Sequence, residues 1–525
     1  MYHYLFRLDR LYDKSKIAWD DLEFSDIDLR KLLIPLMIEN LLTSFMGMAD
    51  SMMVTRIGSA AISAVSLTDA INTLVLQMFS AIATGGTIIC SQYIGAKDTK
   101  KANEAARQIV LSVMFIAFLV MLIAEVFNAG ILKLVFGSVD DAVMNASRIY
   151  FRFTAASFPF IGLYQVCAAF YRAGGNSKYP MNISVLSNIL NIIGNFTFIF
   201  IFKWGVMGAA LSTLLSRIFS AVVLTVSLRF PRQPIVIRHY LVKPDPGMIK
   251  RILYIGIPSG IENGMFQFGK LAIQSSVSTL GTTAIAAQAM TIIFESINGI
   301  AAIAVGMGLM TVVGQTLGAG RREEAKYYIV KHMRIGDYII ILSCLLTFVF
   351  CKPVMSLAGM EPESARICFN MMIYITIVKC LVWVPSFITP YGLRAAGDVK
   401  YSMIVSSLSM WLSRVALSTI LIRFFGFGPI AVWYGMSLDW LVRGLFYLHR
   451  FMGNKWLNHS FMYYGRSASE GIHLKPRRSD ADLDLCFIYI VGSSILNVLM
   501  PSFDSAQILP LCSVTIFWAI ERPRP

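Results

Sequence analysis

The sequence predicts an all-α polytopic membrane protein, with twelve transmembrane helices in two six-helix lobes related by pseudo-two-fold symmetry about an axis along the membrane normal. Three observations carry this. Of the 525 residues, 56% are apolar and only 15% are charged, against about 25% charged in soluble domains. Twelve apolar runs are each long enough to span a bilayer, for which about 20 helical residues suffice. The first six runs also recur in the last six, offset by 223 residues.

Taken in order, residues 1–30 form a polar N-terminal segment, expected in the cytoplasm. They mix Asp20, Asp21, Glu23, Asp26 and Asp28 with isolated apolar residues, so no apolar core of a cleavable signal is expected. The N-lobe, 31–229, holds apolar runs at 32–57, 61–94, 108–128, 148–171, 181–202 and 205–228. A basic, proline-rich linker, 230–250, runs from Pro231 and Pro234 to Pro244 and Pro246. The C-lobe, 251–456, holds runs at 252–279, 284–317, 328–350, 366–393, 402–423 and 427–451. In the tail, 457–525, the stretch from Leu485 to Met500 is a weak extra apolar segment, marginal for a thirteenth span.

The formal charge of +15 falls in short clusters between apolar runs, which is the pattern of membrane topology and not of a nucleic-acid footprint. With the N-terminus in the cytoplasm, nineteen Lys and Arg fall in or beside the inner loops and seven in or beside the outer ones. The positive-inside rule therefore places both the N-terminus and the end of the twelfth span in the cytoplasm of a multi-pass protein of the plasma membrane. The eight cysteines are scattered and form no CxxC pair, so neither a disulfide framework nor a metal site is expected. No phosphate-cradling GxxxxGK[ST] loop occurs, which argues against direct ATP drive. Nor does any His, Asp and Glu cluster suggest an enzyme.

The repeat is exact enough to align by hand. Ile34-Pro35-x-x-Ile38-Glu39-Asn40 falls on Ile257-Pro258-x-x-Ile261-Glu262-Asn263, and 19 of the 69 positions from 34 to 102 are identical to their counterparts. A second block, Arg172-Ala173-x-Gly175-x-x-Lys178-Tyr179, returns as Arg394-Ala395-x-Gly397-x-x-Lys400-Tyr401. Because each copy has an even number of spans, both insert in the same sense, with a cleft between them. That is a secondary-transporter design.

Ionisable groups inside spans are costly and are functional candidates by default. Asp50 leads, because its repeat partner is the apolar Ile273, so the acid belongs to one lobe only. Asn191 and Asn195, four residues apart on the fifth span, share a helix face. In the C-lobe, Glu295, Lys270, Lys379 and Arg414 lie within spans and are expected to contact substrate or to form ion pairs. Glu39, Asn40, Glu262 and Asn263 occupy matching places in both copies and are expected to act as a cytoplasmic gate, with Pro35 as a bend in the first span.

With these residues in view, the sequence resembles the multidrug and toxic compound extrusion (MATE) family of cation-coupled antiporters, in a branch of bacterial flavour. The resemblance runs over about residues 28–457. It rests on Asn40 to Gly58, on Gln92-Tyr93-Ile94-Gly95-Ala96 and its copy Gly314 to Gly320, on Gly205 to Thr213, on Gly256 to Gln267 and on Asp439-Trp440-Leu441-Val442-Arg443. It implies a cation pocket at Asp50, Asn191, Asn195, Thr213 and the Ala209 carbonyl. Asn195 is an amide where the family has a second acid, so the coupling ion, sodium or a proton, is left open. The family's C-lobe acids are not matched: Phe266 or Gln267 stands where the first is expected. The implied activity is export of small amphipathic, cationic organic compounds by a monomer in the lipid bilayer, with no cofactor beyond the coupling ion and no nucleic acid partner. The alternatives are a lipid-linked saccharide flippase of the same superfamily, a channel or an integral membrane enzyme.

Overall fold

The computed structural model describes residues 8–459 apart from 138, 232 and 241. The expected apolar segment at 485–500 lies outside the described residues. Among them, regular structure is entirely helical.

Among the described residues twelve long helical segments follow one another: α1 (Asp26–Thr55), α2 (Ser59–Gly95), α3 (Thr99–Val126), α4 (Asp141–Ala156 with Phe158–Ala173), α5 (Lys178–Ile201) and α6 (Gly205–Ser227). The second set is α7 (Pro246–Val277), α8 (Thr282–Gly318), α9 (Arg322–Leu357), α10 (Pro362–Ala395), α11 (Val399–Arg423) and α12 (Ile430–Met452). Nine described helices are long and apolar enough to cross a membrane, and the bent pair of α4 makes ten. The other two, α7 and α12, are less apolar because they carry Glu262 and Lys270, and Asp439 and Arg443. Of these, Glu262, Asp439 and Arg443 are buried within the protein.

Local chemistry sets the boundaries. Ser25 and Asp28 form a capping box that starts α1. The α1–α2 and α7–α8 turns hinge on Gly58 and Gly281, a repeat pair at φ 142° and 88°, where a side chain would be strained. The fourth apolar run, expected as one span, is bent by 44° at Ser157. Pro159, two residues on, removes a backbone donor there. The linker is held: Gln108 donates to the Lys243 carbonyl at 2.8 Å and accepts from the Asp245 amide at 3.1 Å, and Ile235 and Ile237 are buried.

The lobes meet through α2 against α7 and α8, and α1 against α8. At the end of the bundle that carries the linker, α2 and α8 touch backbone to backbone. A Cβ on Gly95 would lie 1.9 Å from the Gln315 carbonyl oxygen, and one on Gly318 would lie 2.1 Å from that of Gln92. Two cross-lobe bonds related by the repeat flank this contact: Gln92 donates to Ala395 O (2.7 Å) and Gln315 to Ala173 O (2.5 Å). Hydrogen bonds between the lobes among the described residues run from the linker end up to mid-bundle, where Asn263 donates to Gln77 O at 3.5 Å, so the tightest closure is at the linker end.

The N-terminal segment straps across to the C-lobe at the same end. Arg321 pairs with Asp21 (2.8 Å), while Glu324 accepts from the Glu23 amide at 2.7 Å. The Tyr328 hydroxyl both accepts from Phe24 N–H (2.9 Å) and donates to Phe24 C=O (2.7 Å). Tyr328→Phe leaves both backbone groups unpaired at a buried site, an expected cost of about 1–3 kcal/mol. Thermal unfolding of the purified protein checks this; an unchanged midpoint would show that the strap is not held there.

Candidate functional site

The N-lobe site is assembled where α5 and α6 pack closely. Gly194 leaves so little room that a Cβ would sit 2.4 Å from Ser212 Oγ, and that hydroxyl donates to the Asn191 carbonyl at 2.6 Å. This contact turns Asn191 and Asn195 inward, both buried, immediately before the α5 helix widens into a π-helical stretch at Phe196–Ile201. Such widened turns recur at functional positions.

Asp50, half-buried on α1, receives the amides. Asn195 Nδ2 donates to Asp50 Oδ1 at 2.9 Å. The hydrogen-bond network orients the Asn191 amide with its nitrogen toward Asp50, at 2.7 and 3.0 Å from the two carboxylate oxygens, and its oxygen toward the Thr213 amide. Thr213 Oγ1 donates to the Ala209 carbonyl at 3.0 Å. The structure thus brings Asp50, Asn191, Asn195, Thr213 and Ala209 into one cluster.

Asn195 Oδ1 is buried without a hydrogen-bond partner. A buried acceptor left bare costs free energy. Beside an ionised carboxylate it is the kind of oxygen that a small cation would take up. Among the described residues there is no group of three or more His, Cys, Asp or Glu that could hold a metal ion. The cluster itself offers the Asp50 carboxylate with the neutral oxygens of Asn195, Thr213 and Ala209.

Two charged neighbours were not anticipated from the sequence. Asp69 on α2 and Arg217 on α6 both act electrostatically on Asp50. Asp69 accepts from Asn72 at 3.2 Å, with the Tyr150 hydroxyl 3.5 Å away. Arg217 Nη1 donates to Ser157 Oγ, 2.7 Å, at the bend of α4. Asp69 is exposed on α2, with Tyr150 of α4 and Arg217 of α6 beside it. The available signal was that its repeat partner, Ile292, is apolar, as Ile273 is for Asp50.

In the C-lobe the four intramembrane charges part company. Lys379, fully buried, pairs with Glu295 at 2.9 Å and lies over the Trp383 ring at 5.3 Å. Arg414, in a π-helical stretch of α11, pairs with Asp439 at 2.6 Å, and Arg443 lies 3.7 Å from the same carboxylate. Lys270, expected to contact substrate or join an ion pair, makes no hydrogen bond or ion pair among the described residues. The acid that acts on it, Glu295, is already engaged by Lys379, and Asp439, on the neighbouring Arg414, is engaged as well.

The four residues expected as a gate are placed in two ways. Glu39 and Glu262 are buried within their own lobes, bound to Arg172 (3.4 Å) and Arg394 (2.6 Å). These arginines are themselves counterparts in the second repeat block, so the pairing of two repeated acids with two repeated bases was available as a signal. Asn40 and Asn263 instead reach across the cleft, to Met307 Sδ (3.8 Å) and Gln77 O (3.5 Å). Pro35 lies buried within α1, which continues through it as one helix from Asp26 to Thr55, as α7 does through Pro258.

Known proteins share this architecture. The MatE family model matches twice, over residues 35–197 and 258–420, one match per lobe. A probable multidrug resistance protein NorM of Thermotoga maritima is 27% identical over 433 residues, 82% of this chain and 92% of its own length. The uncharacterized transporter YisQ of Bacillus subtilis is 26% identical over 433 residues, 82% of this chain and 94% of its own. Among solved structures, a MATE in complex with MaL6 superposes with a TM-score of 0.76 at 19% identity, covering 85% of this chain and 99% of that one. A MOP superfamily transporter from Pyrococcus furiosus matches with a TM-score of 0.76 at 18% identity, covering 85% and 98%. Both lobes, their order and their pairing being matched, the chain belongs to the MatE family of efflux transporters.

Proposed function

We propose that this transporter is a cation-coupled antiporter that exports small amphipathic, cationic organic compounds from the cytoplasm by alternating access. The observation that carries the reading is the Asp50 cluster. It holds one intramembrane carboxylate, two amides directed at it and a bare buried oxygen, in one lobe only. A sodium ion or a proton arriving at Asp50 cancels a charge inside the membrane. That change alters the cost of keeping α1 packed against α5 and shifts the balance between the two open states. The names of NorM-type relatives favour organic drugs as cargo.

In this reading the linker end is cytoplasmic, as the bias of basic residues requires. The arrangement described above is then outward-open, closed beneath by α2 and α8. The lobes, 31–229 and 251–456, would rock about this seal and the 230–250 linker in a monomer. No cofactor is needed besides the coupling ion.

The test uses purified protein in vesicles loaded with a fluorescent cationic dye, under an imposed sodium gradient or an imposed pH gradient. Dye movement driven by one of the two identifies the ion. Response to neither removes the antiport reading.

A further inference from the structure

We propose that the C-lobe carries a subsite for an acidic group, a carboxylate on an amphipathic substrate, built on Lys270 with the Arg414 and Arg443 pair behind it. This rests on the export reading and refines its substrate class to compounds bearing both a cationic and an anionic group.

The placement follows from the repeat. Ile273 is the counterpart of Asp50, and Lys270 lies three residues before it, on the same helix face. By the repeat, the place that holds an acid in one lobe is matched in the other by a base about one turn lower.

Lys270 is directed inward by its neighbours. Phe266, four residues earlier on the same face of α7, lies beneath both guanidinium groups, 5.7 Å from Arg414 and 5.3 Å from Arg443. Lys270, one turn on from Phe266, shares that helix face, and Arg414 and Glu295 act on it electrostatically. It is also exposed, and hence within reach of a solute.

The charges nearby leave it uncompensated. Glu295 is bonded to Lys379 at 2.9 Å, and Asp439 is shared by Arg414 at 2.6 Å and Arg443 at 3.7 Å. Arg443 is 2% exposed, and its Nε and Nη2 have no hydrogen-bond partner. One carboxylate thus serves two buried guanidiniums, while Lys270 has none of its own. An unpaired cation at membrane depth is costly, and an incoming carboxylate relieves that cost by a charge-assisted bond.

The experiment measures equilibrium binding to full-length protein in lipid nanodiscs, with no ion gradient. The probes are a fluoroquinolone, a zwitterion at neutral pH, and its methyl ester, which keeps the amine and lacks the acid. Wild type is expected to bind the acid about tenfold more tightly than the ester, the scale of one hydrogen bond to a charged group. Lys270→Met should weaken the acid alone and equalise the two, and Lys270→Arg should restore the preference.

A wild type without preference overturns the proposal. So does a preference that survives Lys270→Met, the result expected of a lysine that only reaches toward lipid headgroups. If neither probe binds, the subsite and the drug-export reading fall together. A preference that follows Lys270 in a protein that answers no ion gradient refutes coupling and leaves the subsite standing.

Discussion

Asp50→Asn is expected to reduce ion-driven efflux in vesicles to the level of empty membranes, while drug binding to the purified protein persists. The reason is energetic. Moving a two-state equilibrium from 1:99 to 99:1 requires about 5.5 kcal/mol of differential stabilisation. A charge at membrane depth costs several kcal/mol, so the loss or gain of charge at the half-buried Asp50 is of the size needed. An asparagine there joins Asn191 and Asn195 in an all-amide set that takes up no ion or proton, and coupling at this position is lost while Asp69 and Arg217 stay in place. The geometry predicts tolerance of the substitution as a fold, since both neighbouring amides can turn to present an oxygen to the new donor. Full ion-driven efflux by the asparagine variant would remove Asp50 from the mechanism.

The second large effect is expected at the seam between α2 and α8. Gly95→Ala places a methyl group 1.9 Å from a backbone carbonyl oxygen, and Gly318→Ala one at 2.1 Å from its counterpart. Backbone cannot rotate out of the way, as a side chain would, so the helices must separate. Small residues four apart, Ser91 with Gly95 and Gly314 with Gly318, are what let two helices approach this closely in a membrane. Separation also breaks the Gln92 and Gln315 bonds that flank the contact. Either variant should favour the state open at the linker end and lower efflux at least about tenfold, the result of a shift near 1.4 kcal/mol.

Spin labels on Lys100→Cys and Arg322→Cys, both exposed at this end, in a cysteine-free background, would report a wider separation in the variant. Gly47→Ala and Gly264→Ala are the controls, since a Cβ at either position meets nothing within 4 Å. Unchanged label distances in Gly95→Ala would show that the seam does not hold the lobes together.

Pattern and composition suffice for what is local or periodic. Twelve apolar runs, an even repeat and an offset of 223 residues determine an all-helical membrane protein of two lobes, because backbone groups in a bilayer must be satisfied within each helix. The same logic singles out Asp50 and places Asn191 beside Asn195, since four residues return a helix to the same face. What periodicity does not specify is which face meets which neighbour. Asp69 and Arg217 join Asp50 only because α1, α2 and α6 converge.

Arg414 finds Asp439 from another helix, and Gln92 finds a carbonyl 303 residues away. Lys270, one more intramembrane charge by sequence, is set apart only by the folded structure, which gives the acid that acts on it, Glu295, to Lys379. Helix identity is written in short-range spacing, whereas side-chain partnership depends on how helices pack. Tertiary structure therefore decided which charges are neutralised and which are left to meet a ligand.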